Sequence, residues 1–129
     1  MKRFTDMYKK NNSSGLSFNT IITKAFRKAE TLSAEMIEAI EYKKFEQRYL
    51  VSEEIIRLMV ELHDTFSPNV MEGIDISMQR YCKGNINLIT KINLKNDKDL
   101  AITLKQSFIE VGKMWQSYKP PADVTPSLS

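Results

Sequence analysis

The chain has little of what most function classes require. It holds one cysteine, Cys82, in 129 residues. A lone thiol builds neither a disulfide framework nor a thiolate metal site, and a reducing cytoplasm is its natural setting. It holds one histidine, His63, beside Asp64, with no second His or Cys to join it as ligand or general base. There is no Gly-rich phosphate loop and no Glu-x-x-His pair of the di-iron kind. Only 4 Gly and 4 Pro interrupt the chain, which favours long helices over a many-turned β fold. No apolar run reaches bilayer length, and no apolar segment follows the charged N-terminus, so neither membrane insertion nor a secretory signal is expected. These absences leave no catalytic constellation, and the expectation is a cytoplasmic protein that is not an enzyme and takes no metal or cofactor.

The net charge is +3, and its location decides its meaning. Lys2, Arg3, Lys9 and Lys10 against Asp6 carry all of it, and the rest of the chain is neutral. A nucleic-acid module needs a basic face, and this body demands none, so no nucleic-acid partner is expected.

What the chain does have is helical period. From Asn96-Asp97 onward, Ala101, Leu104, Phe108, Val111, Trp115 and Tyr118 recur at spacings of three and four, one face of a helix. Asn96 or Asp97 suits its N-cap, and Pro120-Pro121 forbid its continuation. Ahead of it, Leu94 closes the stripe of a third helix that carries Met71, Ile74, Met78, Tyr81, Cys82, Leu88, Ile89 and Ile92. Ser67-Pro68 signals the start of that helix. Asn85 interrupts its stripe, and Gly84 suggests a bend or a close backbone approach. Cys82 lies on the stripe and reads as a buried, inert thiol.

The first helix begins near Ser17 or Asn19, with Ile22, Phe26, Ala29, Ser33, Met36, Ile37 and Ile40 in period. A new phase then runs through Phe45, Ser52, Ile55, Met59, Leu62 and Phe66. The slip predicts a turn near Tyr42-Lys43, and one unbroken helix over 19–65 is the alternative. Lys24, Arg27 and Lys28 precede Glu35, Glu38 and Glu41, while Lys43, Lys44 and Arg48 precede Glu61 and Asp64. Antiparallel pairing sets each basic end beside an acidic one, although such exposed pairs contribute only about 0–1 kcal/mol each.

Short connections between long helices give an all-α fold: an antiparallel up-down four-helix bundle over residues 17–119. A mobile N-terminal arm (1–16) precedes it and a short disordered tail (120–129) follows. Phe4, Met7 and Tyr8 in the arm are either incidental hydrophobes of a disordered start or a means of docking on an apolar groove. The 7 Met residues serve as core filler or line a groove that adapts to apolar partners.

The segment Asn93-Leu-Lys-Asn-Asp97, with its following helix of Leu104, Phe108, Val111, Trp115 and Tyr118, resembles the C-terminal part of the flagellar secretion chaperone family FliS. An Asn-x-x-Asn-Asp turn and an Ala-Trp near the last helical turn fall at this spacing there, and Met114 stands in place of the Ala. Met7-Tyr8-Lys9-Lys10 resembles the family's Ala-Tyr-Gln/Lys element, and Ser17 with Ile21-Ile22 its Ser-Pro-x-x-Leu-Ile start of the first long helix. The family's Asp-x-x-Lys-Gly-Gly-Glu turn is replaced by Asp64-Thr65-Phe66-Ser67-Pro68, and its Leu-Tyr-x-Tyr element is reduced to Tyr81-Cys82. The resemblance implies a cytoplasmic chaperone that holds the C-terminal segment of flagellin, prevents premature polymerisation, and passes it to a component of the flagellar type III export apparatus. It implies partner-binding roles for Tyr8 in the arm, for Ile22, Phe26 and Met36, and for Leu104 and Phe108, though core packing also accounts for the helical ones. Two other readings stay open: an adaptor bundle with a different protein partner that forms a homodimer through an exposed stripe, and a small-ligand bundle. An exposed apolar patch favours chaperone or adaptor, and a closed cavity with convergent polar groups favours the ligand binder.

Overall fold

The computed structural model describes residues 17–66 and 73–118. The N-terminal arm, the Ser67-Pro68 start signal with Met71, and the tail from Lys119 onward lie outside these residues. Four helices occupy the described chain: α1 (Phe18–Glu41), α2 (Phe45–Thr65), α3 (Ile74–Lys95) and α4 (Lys98–Ser117). None is long and apolar enough to cross a membrane.

Local chemistry sets the helix ends. Ser17 caps α1, its hydroxyl accepting the Thr20 N–H at 3.1 Å. α1 ends where the sequence phase slips, which removes the single-helix alternative. Lys43 takes a left-handed φ of 55°, and its N–H bonds Ile40 O at 3.2 Å while the Lys44 N–H bonds Ala39 O at 2.8 Å. This pair of bonds is a Schellman closure, with Lys where Gly is usual. The same device ends α3: Asn96 sits at φ 52° and the Asp97 N–H bonds Ile92 O at 3.2 Å. Asp97 then caps α4, its carboxylate accepting the Leu100 N–H at 3.1 Å. Gly73, at φ 81°, adopts a conformation that a helix cannot contain, so α3 begins at Ile74.

Contacts between neighbours run in opposite chain directions throughout. Phe18 meets Phe66 and Met36 meets Ser52 across α1 and α2. Ser52 meets Asn93, Met59 meets Asn85, and His63 meets Gln79 across α2 and α3. Tyr81 meets Ser107 across α3 and α4, while Asn19 meets Trp115 and Glu41 meets Lys98 across α1 and α4. The result is an antiparallel four-helix bundle in which each helix packs on its sequence neighbours and α1 closes onto α4. The Glu41–Lys98 pair takes Glu41 to the fourth helix, not to the Lys43-Lys44 start expected from charge order.

The core follows the predicted stripes, with three corrections. Phe45 and Leu94, read onto buried stripes, are 52% and 80% exposed: Phe45 opens α2 beyond the end of α1, and Leu94, two residues after the buried Ile92, falls on the opposite face of α3. Gly84 approaches nothing: a Cβ there meets open space. Conversely Phe18, Ile21 and Leu32 are buried beyond the single stripe read for α1, since this helix packs on both α2 and α4.

Trp115 anchors one end. It is 1% exposed, with ring centroids 5.4 Å from Phe66, 6.2 Å from Phe18 and 5.3 Å from Tyr118. Aromatic pairs of this kind each contribute roughly 0.5–1.5 kcal/mol beyond their buried area. Trp115→Ala is expected to destabilise the fold by about 3–5 kcal/mol in chemical denaturation. The folded protein should show blue-shifted indole emission; a spectrum typical of indole in water would contradict this placement.

Candidate functional site

The best-built polar feature is the turn between α3 and α4. Asn93 and Asn96 both reach back to α2. The Asn93 amide lies 2.9 Å from Ser52 Oγ, and Arg48 donates to Asn96 Oδ1 at 2.8 Å. Asp97 caps α4 and the next residue, Lys98, pairs with Glu41. The Asn-x-x-Asn-Asp pattern is thus satisfied almost wholly by intramolecular bonds, which fix where α4 starts. Its work is positional.

At the far end the C-terminus of α4 is held by a residue the sequence suggested only as an N-cap. The Asn19 amide donates to Trp115 O at 2.9 Å and also to Tyr118 O. Two carbonyls left without intrahelical partners are thereby satisfied. α4 is pinned at both ends, and two clefts open along its sides.

The first cleft, about 180 Å³, lies between α1 and α4 and is lined by Thr23, Phe26, Arg27, Glu30, Phe108, Ile109, Gly112, Lys113 and Gln116. Gly112, not Gly84, makes a close approach to a neighbouring helix. A Cβ at 112 would stand 3.1 Å from Phe26 Cβ, an atom fixed to the α1 backbone and unable to swing aside. The second cleft, about 410 Å³, lies between the start of α3 and the end of α4, lined by Gly73, Ile74, Ser77, Met78, Met114, Trp115 and Tyr118. Its walls are nearly all apolar. Met114 is 52% exposed, and the buried Trp115 Nε1–H has no hydrogen-bond partner. A buried donor without an acceptor costs about 1–3 kcal/mol, but the atom is closed off from solvent, so what the cleft offers is an apolar bed.

The candidate residues divide accordingly. Ile22, Phe26, Met36, Leu104 and Phe108 are all at most 1% exposed and in this state pack the core. Phe26 and Phe108 also floor the cleft between α1 and α4, their rings 6.2 Å apart. Tyr8 lies outside the described residues. The residues that sequence reasoning left out of the candidate set are Ile74, Met78, Met114, Trp115 and Tyr118. The exposed Met beside Trp115 was the available signal.

Cys82 does not belong to either cleft. It is fully buried, and burial pushes its thiol from an ordinary 9.0 up to about 12, the wrong direction for a nucleophile. Among the described residues no group of three or more His, Cys, Asp and Glu is placed to hold a metal ion.

Two measurements check this geometry. Gly84→Ala should stabilise the protein by up to about 1 kcal/mol, the helix-propensity gain at an open site. Gly112→Ala should destabilise it, because the contact with Phe26 outweighs that gain; equal melting shifts for the two would refute the close approach. Native Cys82 should resist iodoacetamide at neutral pH. Because its folded pKa is raised, its contribution to stability is complete below the unfolded value and is lost as pH climbs from about 9 toward 12. Cys82→Ala should flatten that alkaline slope.

No protein-family model matches this chain, and no curated protein matches it significantly.

Proposed function

We propose that this bundle is a non-enzymatic export chaperone of the FliS type, which holds the C-terminal segment of flagellin in the cytoplasm and passes it to the flagellar type III export apparatus. The observation that carries the reading is the apolar cleft of about 410 Å³ between α3 and α4. An amphipathic segment without a fold of its own can bury its apolar side chains there. Met78 and Met114 suit this use, since unbranched thioethers re-pack around different side chains. The cleft between α1 and α4, floored by Phe26 and Phe108, gives a long client a second foothold on the other side of α4. The sequence resemblance in the Asn93–Asp97 turn and the α4 seam supplies the identity of the client.

A peptide of the flagellin C-terminal segment is expected to bind and gain helicity, with a negative heat-capacity change in calorimetry, the mark of apolar burial. Met114→Lys at the cleft rim should weaken it. Absence of binding to flagellin would move the reading to an adaptor bundle with another protein partner. The arm provides a further arm-specific readout. If Phe4, Met7 and Tyr8 cover the client cleft, a chain beginning at Ser13 binds more tightly: about 100-fold if the arm is docked 99% of the time, about twofold at even occupancy. Weaker binding after truncation would show that the arm contacts the client itself.

A further inference from the structure

The bundle end formed by the α1–α2 and α3–α4 turns differs in kind from the clefts. The Glu41–Lys98 pair and the Arg48–Asn96 bond place the two turns side by side. Large apolar residues stand out from this end: Tyr42 (66% exposed), Phe45 (52%), Tyr49 (52%), Leu50 (49%) and Leu94 (80%). They account for five of the nine large hydrophobic residues exposed among the described residues, so the exposure is concentrated here. A shallow depression lined by Lys44, Phe45, Glu46, Gln47 and Leu50 lies among them.

Lysines surround the apolar residues. Lys43, Lys44, Lys91 and Lys95 lie on or beside the turns, and Arg48 stacks over Phe45 at 5.4 Å. The acids of this end are used locally: Glu41 pairs with Lys98, Glu53 accepts a hydrogen bond from the Tyr49 hydroxyl at 2.8 Å, Asp97 caps α4, and Glu46 and Asp99 occupy first helical turns, facing the positive ends of helix dipoles. The tip is therefore aromatic with a slight basic excess, Lys43, Lys44, Arg48, Lys91, Lys95 and Lys98 against Glu41, Glu46, Glu53, Asp97 and Asp99, and its cations other than Lys98 and Arg48 stand around the apolar residues. Lys43 adds a second anomaly. It holds a left-handed φ of 55°, a conformation strained for a residue with a side chain and adopted freely by Gly. A strained lysine at the apex puts a cation where the fold alone calls for glycine.

We propose that this tip is a reversible docking surface for an anionic lipid membrane. Exposed aromatic and leucine side chains interleaved with lysines match the layered chemistry of a bilayer interface, where rings settle at headgroup depth and ammonium groups meet anionic lipid. The shape agrees: two projecting turns meet a plane, whereas a peptide needs a walled groove or a free sheet edge. Apposing two copies of the tip brings lysines against lysines, which argues against a homodimer through this end. No described helix crosses a bilayer, so the contact is peripheral. The proposal does not depend on the chaperone reading, because the tip lies at the opposite end of the bundle from the α3–α4 cleft.

Co-sedimentation of the full chain with phosphatidylcholine vesicles, with and without phosphatidylglycerol, tests it. Binding is expected only with phosphatidylglycerol present and should fall as salt rises. Lys43→Gly is the discriminating variant: it should raise thermal stability by relieving the backbone while weakening vesicle binding, each lysine lost costing roughly fivefold. Lys44→Ala and Phe45→Ser with Leu94→Ser should weaken binding further, with circular dichroism melts confirming that they remain folded. Lys91→Glu with Lys95→Glu provides an independent variant on the other turn. No association with anionic vesicles would overturn the proposal. So would binding that survives all of these substitutions, which would assign it to the basic arm of Lys2, Arg3, Lys9 and Lys10. A concentration-dependent dimer abolished by Phe45→Ser with Leu94→Ser would also overturn it, in favour of self-association.

Discussion

α1 and α4, the two helices farthest apart in sequence, share the broadest contact in the bundle. Gly112 lets them close to within 3.1 Å of where a Cβ would sit, and Asn19 ties the α4 C-terminus to the start of α1. Both long-range ties are needed because the other partner of α4 gives it little: α3 and α4 make the sparsest helix contact. A bundle closed this firmly on one side of α4 is able to leave the other side open. The apolar cleft beside Trp115 exists because the α1–α4 seam, rather than the α3–α4 seam, carries the packing.

The same division explains why the residues of the Asn93–Asp97 turn are better read as architecture than as a binding motif. Asn93 and Asn96 are bonded to α2, and Asp97 to its own helix. Together they fix the axial position of α4, and hence the position of Met114 and Trp115 four to five turns further on. A site with apolar walls has few directional bonds of its own with which to hold its shape. Here that precision is supplied from the opposite end of the helix.

Much of the fold was legible because period and capping are local properties. The seam Ala101, Leu104, Phe108 and Trp115 could be read from spacing alone and is buried as expected. The turn at Tyr42-Lys43 could be read from a phase slip even though no Gly or Pro marks it. What escaped was long-range. Asn19 has the look of a helix N-cap, and only the return of α4 gives its amide two carbonyls. Gly84 and Gly112 look alike in sequence; their difference is Phe26, 86 residues before the second of them. Phe45 kept the helical period but fell beyond the end of α1, while Leu94 stands only two residues past Ile92 and so leaves the buried face of α3. The cleft was hidden for a related reason. Ile74, Met78 and Met114 read as ordinary stripe members or solvent-facing residues, and an opening between two helices is a property of neither sequence taken singly.

The tie from Asn19 to the α4 C-terminus also bears on how the protein comes into being on the ribosome. Among the described helices α1 is made before the other three, yet its broadest partner, α4, is made after them. Until α4 is made, α1 and α2 can pair with each other, but the flank of α1 holding Thr23 and Phe26 lacks the helix that covers it. Chain growth at about 5–20 residues per second leaves that apolar flank uncovered for several seconds. The nascent chain is therefore itself, briefly, an apolar surface in need of shelter, and the docking of α4 is the step that ends the exposure.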